Sequence, residues 1–233
     1  MPVESIVFAG QQAWRKRYVA APRVLPLAAL AVIARLLELP PLTPPPRHPP
    51  GRALQLEERR LGQLQAMGVR APRVLAKGED WLALSHIGET LAGRLRLTTG
   101  DPVATDALVR MAVAAISDAH RRGAYFGQPL PRNLAVDGTR IGFLDFEEDP
   151  LEVMTLEQAQ ARDWLLFAYG VARYYDERPA VLGEILGEGL RSAHVEVSGY
   201  AYRVGRRLSP IARLVRGCGR SARAFAHAVL ALR

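Results

Sequence analysis

The stretch that decides the fold runs from His120 to Pro150, HRRGAYFGQPLPRNLAVDGTRIGFLDFEEDP. Its pattern reads as loop, strand, tight turn, strand and acidic loop. Asn133 opens the strand Leu134-Ala135-Val136, Asp137-Gly138 supplies a two-residue hairpin turn, and Ile141 to Leu144 return antiparallel to end at Asp145. Such a hairpin carries Asn133 and Asp145 to the same end. An amide oxygen and a carboxylate placed together suit a magnesium ion, which takes hard oxygen ligands and bridges nucleotide phosphates.

Working outward, the chain holds only two lysines, Lys16 and Lys77, among 31 basic residues. Each therefore asks for a reason that arginine would not satisfy. Lys16 lies in Gln12-Ala13-Trp14-Arg15-Lys16-Arg17-Tyr18, after the apolar run Ile6-Val7-Phe8 and a turn at Ala9-Gly10-Gln11. This predicts a β-hairpin with Lys16 on its second strand. A compact ammonium on a flexible stem binds phosphate as a point charge; the alternative is a surface strand lysine. Lys77, beside Gly78-Glu79-Asp80, reads as a turn residue.

Helical periodicity names a partner for Lys16. From Ala53 to Met67 the residues Leu54, Leu61 and Leu64 form an inward stripe, and Glu57 falls on it. Glu58 is turned away by about 100° and is expected in solvent. A carboxylate on an apolar face is costly unless paired, so a cation is expected beside Glu57, and Lys16 is the candidate. The same reasoning applies to Asp163, which lies inward with Leu156, Phe167, Val171 and Tyr174 on a helix from Leu156 to Tyr174. An inward Asp needs donors; a local pair with Arg is the competing reading. Another helix spans Asp106 to Arg122, with Leu108, Met111, Ala115 and Ile116 inward.

These residues resemble the protein-kinase-like superfamily. His120 and Gly127-Gln128-Pro129-x-x-x-Asn133 look like its catalytic loop, and Asp145-Phe146-Glu147 like its metal-binding Asp-Phe-Gly. Glu57-x-x-x-Leu61-x-x-Leu64-x-x-x-Gly68-Val69-x-x-Pro72 is similar to bacterial lipopolysaccharide-core sugar kinases and related small atypical Ser/Thr kinases. The resemblance implies ATP and magnesium as cofactors. Lys16 is then placed on phosphate, Glu57 fixes Lys16, Asn133 and Asp145 hold the metal, and Gln128 faces the acceptor. Backbone groups from Leu84 to His86, at a hinge after the strand Trp81 to Ser85, would meet the adenine edge. The side chain of His86 reads as a polar surface residue, and that of His120 as structural. Asp163 would accept hydrogen bonds from catalytic-loop backbone.

Two positions depart from the family pattern. Its catalytic Asp is Gln128 here, and the Gly after Asp-Phe is Glu147. An amide orients a hydroxyl but cannot take its proton at neutral pH, and general-base catalysis is typically worth about 10²–10⁴-fold. Glu147, Glu148 or Asp149 is a source of a displaced carboxylate. Only one hairpin precedes Lys16, so the glycine-rich cover over the phosphates is expected to be reduced.

Composition sets the outer bounds. With 233 residues, 49% of them hydrophobic, and mean hydropathy near zero, the chain can bury a substantial core. The start of the sequence lacks a charged region followed by an apolar core and cleavage site, and the single cysteine, Cys218, excludes an internal disulfide. Both point to a reducing cytoplasm. The run Val24 to Leu39, interrupted by Pro26, Arg35 and Glu38, reads as a helix too short to span a bilayer. Pro40 to Arg52, PPLTPPPRHPPGR, reads as a stiff extended connection without packed structure. Residues 191–233 carry nine arginines against one acid, Glu196, and so account for the whole net charge of +8. That segment is read either as a surface for anionic lipid or nucleic-acid phosphates, or as a helical subdomain with a solvated basic face. No Cys/His metal cluster, nucleophile elbow or Walker-type loop is present.

The expected fold is α+β, a two-lobed kinase-like arrangement with a reduced N-terminal lobe over 1–85, a mainly helical C-terminal lobe over 86–190 and a basic helical tail over 191–233. The expected function is Mg-ATP-dependent phosphotransfer to a hydroxyl of an envelope sugar, lipid or protein Ser/Thr. The rival readings are a catalytically impaired pseudokinase that binds nucleotide as a switch, and a binder of nucleic acid or membrane surface through the tail. No specific nucleic-acid partner is expected, and peripheral contact at the inner face of the membrane is.

Overall fold

The computed structural model describes residues 2–19 and 38–233. The apolar run read as a helix from Val24 to Leu39 lies outside the described residues except for its last two positions.

The fold is α+β. Strand β1 (Val3–Phe8) and strand β2 (Gln11–Arg17) form the expected hairpin, with Phe8 opposite Gln11. The two turn residues, Ala9 and Gly10, both have positive φ, 48° and 78°. Such a turn matches the right-handed twist of the strands it joins. Helix α1 (Pro50–Ala66) opens on a proline, whose fixed φ suits the first turn and whose missing N–H would be unpaired there anyway. It stops at Gly68, whose φ of 68° suits glycine and lets the Val69 amide reach back to the Leu64 carbonyl. Strands β3 (Val74–Lys77) and β4 (Trp81–Ser85) complete an antiparallel sheet of order β1-β2-β4-β3.

Strand β5 (Glu89–Thr90) leads into helix α2 (Leu91–Leu97), which Thr90 caps by accepting from the Gly93 amide. Helix α3 (Pro102–Arg121) follows. Strands β6 (Leu134–Asp137) and β7 (Arg140–Phe143) then join β5 in a second sheet of order β5-β6-β7. Helices α4 (Leu156–Ala172), α5 (Pro179–Arg191), α6 (Val195–Val215) and α7 (Arg220–Ala231) complete the chain.

Several expectations are corrected. The β6–β7 turn is Gly138-Thr139, one residue later than expected, because Asp137 pairs with Arg140. Lys77 ends strand β3 instead of sitting in a turn, and its Nζ lies 3.0 Å from Glu58 Oε1, so Glu58 is paired as well as partly exposed. Helix α3 is rotated relative to the expected stripe: Val109, Ala112 and Val113 are fully inward with Ile116, and Leu108, Met111 and Ala115 are partly buried. Its start at Pro102 adds a turn and Thr105 to the buried face.

The proline-rich connection is packed. Pro40–Leu42 make a 3₁₀ turn, Pro50 to Arg52 already belong to α1, and the Arg162 guanidinium on α4 donates to the carbonyls of Pro41 and Thr43. The arginine-rich C-terminal residues also form part of the core. On α6, Val197, Ala201, Val204, Leu208 and Ala212 are buried, while Arg203, Arg206, Arg207 and Arg213, with Arg216 just past its end, face outward. One apolar cluster runs from Tyr18 through Trp164 and Phe167 to Leu232. Among the described residues no helix is long and apolar enough to cross a membrane.

Candidate active site

Strand alternation turns Lys16 and Tyr18 of the β2 segment to the same buried side, facing helix α1. Lys16 Nζ donates to Glu57 Oε2 at 2.6 Å and to Asp145 Oδ1 at 2.6 Å, and lies 3.5 Å from Glu147 Oε2. The Tyr18 hydroxyl donates to Glu57 Oε2 at 2.7 Å, and the Phe146 amide approaches Glu57 Oε1 at 3.4 Å. Glu57 is 1% exposed, so its charge is offset entirely by these donors. Burial alone would lower the Lys16 pKa, but the charges of Glu57, Asp145 and Glu147 outweigh it and hold the ammonium firmly protonated. Burial, followed by the Glu57 charge, pushes the Tyr18 phenol well above its usual range.

Asp145 adopts φ 70°, an uncommon backbone state for a residue other than glycine, but one that aspartate tolerates. The Leu144 amide donates to the Asn133 carbonyl at 2.8 Å, which sets the two chain segments side by side at the end of the hairpin, as its length predicts. Asn133 is buried, and its side-chain nitrogen donates to the Gln128 carbonyl at 3.0 Å. Its amide oxygen is the atom left for a ligand. Glu57, Asp145 and Glu147 each offer a carboxylate oxygen, all within 4.8 Å of one another. Glu147 Oε2 is shielded from solvent and has no hydrogen-bond partner, and burial together with the neighbouring Asp145, Glu57 and Glu148 raises the Glu147 pKa against the pull of Lys16. Three carboxylates around one ammonium leave an excess of negative charge. Hard oxygen donors and that excess are the chemistry a divalent cation takes, and Glu57, Asp145 and Glu147 are the group that offers it.

Gln128 Nε2 donates to Glu148 Oε2 at 2.8 Å, which brings a carboxylate to the amide of the catalytic-loop-like segment. Asp149 is otherwise engaged: it accepts from the Tyr125 hydroxyl at 2.7 Å and from the Leu151 amide. The loop bearing Gln128 is held from beneath. Asp163, fully buried on α4, accepts from the Phe126 and Gly127 amides at 2.8 and 2.7 Å, and His120 Nε2 lies 3.0 Å from its Oδ2. The expected loop-anchoring role of Asp163 and structural role of His120 correspond to these contacts.

At the far end of the first sheet Leu84 is buried between Trp14 on β2 and Val74 on β3. The His86 amide faces the Gln12 carbonyl at 3.4 Å, and its ring Nδ1 accepts from Trp14 Nε1 at 3.0 Å, so the side chain is oriented by the sheet and only partly exposed.

Sequence reasoning missed four contributors. Tyr18 stood two residues beyond Lys16, where strand alternation would have found it. Arg60 donates to the Tyr125 carbonyl at 2.6 Å with its guanidinium 3.7 Å from the Tyr125 ring centre. Arg162 donates to the Gly127 carbonyl, and Gln160 to the carbonyls of His120 and Ala124. These long polar side chains reach backbone carbonyls distant in sequence, a target that leaves no pattern of its own.

No protein-family model matches the chain, and none of the curated proteins searched matches it significantly.

Proposed function

We propose that the chain is a magnesium- and ATP-dependent phosphotransferase with a two-lobed, protein-kinase-like architecture, acting on a hydroxyl acceptor. The observation that supports this best is Lys16, clasped between Glu57 on a helix and Asp145 beyond the β6–β7 hairpin. A lysine fixed by one carboxylate and set beside a second, metal-competent one serves phosphate binding. Asp145 and Asn133 would hold the magnesium ion, which neutralises charge on the transferring phosphoryl group.

In this reading the chain's own residues position the reactants. Lys16 meets phosphate oxygens and Glu57 with Tyr18 keeps its ammonium in place. The backbone around Leu84 to His86 lines the nucleobase side. Gln128 orients the acceptor hydroxyl, and Glu148, held by the Gln128 amide, is the group that takes its proton. Asp163 fixes the loop that carries Gln128. The carboxylate lacking at position 128 is thereby supplied from the acidic loop. The outward arginines of α6 offer a face for an anionic membrane surface.

The test is a calorimetric titration with ATP, with and without magnesium, beside Asp145→Ala. Magnesium-dependent binding that the variant loses supports the reading; absence of binding in both proteins overturns it. The second reading, a nucleotide-binding switch without transfer, draws on Gln128 itself, and magnesium-dependent binding without turnover on any hydroxyl acceptor would favour it.

A further inference from the structure

A cleft of about 760 Å³ opens beside Leu130, Pro131 and Arg132 of the catalytic-loop-like segment. Its walls come from four separate places in the chain, and each contributes an arginine: Arg96 from α2, Arg132 from the turn just before Asn133, Arg173 from the end of α4 and Arg220 from the start of α7. Arg96, Arg132 and Arg220 make no side-chain hydrogen bond or ion pair among the described residues, and the Arg173 guanidinium donates only to the Tyr174 hydroxyl. Asp176 is the one carboxylate on the lining, and it faces Arg223 at 3.7 Å and His227 at 3.5 Å. Tyr169 and Tyr174 add aromatic wall.

Four arginines without a carboxylate partner on the lining of one concavity repel one another and gain most from an anion. Their planar forks match phosphate oxygens two at a time. A single carboxylate occupies one fork, whereas a phosphate group carries about −1.5 to −2 charge and three acceptor oxygens. The volume falls within the range of roughly 300–1,000 Å³ usual for small-molecule sites. We propose that this cleft seats an acceptor already bearing phosphate, so that the transferred phosphoryl group is added to an organophosphate. Its acceptor role rests on the phosphotransferase reading; its binding chemistry does not. A reaction that phosphorylates the same molecule must then come first.

A soluble sugar phosphate and a phosphorylated lipid headgroup share this chemistry, and two arms separate them. Glucose 1,6-bisphosphate and glucose are titrated into the full chain by calorimetry, and vesicles of phosphatidylcholine with and without phosphatidylinositol 4-phosphate are tested by co-sedimentation, all without nucleotide. The bisphosphate or the phosphorylated vesicles are expected to bind and their unphosphorylated counterparts not. Arg173→Gln with Arg220→Gln is expected to weaken that binding at least tenfold, with an unchanged melting temperature and unchanged MgATP affinity. Asp145→Ala is expected to retain it, which places the phosphate outside the nucleotide site. Binding unaffected by the double arginine variant, or no binding in either arm, overturns the proposal. Failure of MgATP binding with phosphate binding intact would instead remove the phosphotransferase reading and leave the cleft as an organophosphate site.

Discussion

Lys16 Nζ lies 2.6 Å from Glu57 Oε2 and 2.6 Å from Asp145 Oδ1, so one ammonium ties strand β2 both to helix α1 and to the loop beyond β7. Lys16→Met would leave Glu57 buried without a cation, and breaking one side of a buried pair costs about 3–5 kcal/mol. The variant is expected to melt far below the parent. Adding Glu57→Gln removes the stranded charge, keeps an acceptor for the Tyr18 hydroxyl and is expected to recover most of the loss, while MgATP binding stays absent. A double variant no more stable than Lys16→Met would show that the two charges are not coupled.

The loop anchor at Asp163 gives a second prediction. Asp163→Ala deprives the buried Phe126 and Gly127 amides of their acceptor, and each unsatisfied group costs about 1–3 kcal/mol. Melting temperature is expected to fall, and those two amides are expected to exchange hydrogen faster than their neighbours in α3. Unchanged protection at both would sink the anchoring role.

Glu148 and Gln128 can be separated kinetically. Glu148→Gln keeps an acceptor oxygen for the Gln128 amide but removes the base, and turnover on a competent acceptor is expected to fall by about 10²-fold or more. MgATP affinity should hold within about twofold, because the change lies on the acceptor side. Asp149→Asn is the contrast: Asp149 serves Tyr125 and Leu151, so its loss should lower stability more than turnover. Equal turnover in Glu148→Gln and the parent would exclude Glu148 as the base.

The close packing of α6 on the C-terminus provides a stability prediction independent of any site. A Cβ on Gly205 would stand 2.0 Å from the Leu232 carbonyl oxygen, which is backbone and cannot rotate away. Gly205→Ala is expected to cost about 1–3 kcal/mol by overpacking, despite alanine's better helix propensity. Gly199 has no atom within 4 Å of that position, so Gly199→Ala on the same helix should be neutral or stabilising.

What the sequence revealed, and what it hid, follows from how polar groups find partners. Glu57, Lys16 and Asp163 were legible because a charge on an apolar periodicity must be paired, and few cations or loops were available to pair it. The β6–β7 hairpin was legible to within one residue because a glycine at the first turn position suits a two-residue connection. Arg60 and Arg162 were not, because their long stems cross the packing to reach backbone carbonyls far away in sequence. The α3 stripe was misplaced because Val109, Ala112 and Val113 compete with Leu108 and Met111 for the inward face, and the packing of α3 against α5 and β7 decides between them. The arginines of α6 advertised a tail, while the smaller Val, Ala and Leu between them carried the packing. Convergence of Arg96, Arg132, Arg173 and Arg220 depends on tertiary structure alone.

His227 on α7 supplies the pH dependence. Its side chain is 2% exposed, 3.5 Å from Asp176 Oδ1, and faces Arg216 and Arg223. Burial pushes its pKa below the ordinary value of 6.5, with Arg216 and Arg223 adding to the effect and Asp176 opposing it. Between 6.5 and the lowered native value the unfolded chain binds more protons than the folded one. Stability therefore rises with pH across that window and is lost on acidification through it, with no further loss from this group once both states are protonated. His227→Gln removes the titration, so the fall in melting temperature from about pH 7.5 to about pH 5 is expected to be smaller in the variant than in the parent. Parallel slopes in the two proteins would show that His227 carries the same charge folded and unfolded, and would place the acid sensitivity of the fold elsewhere.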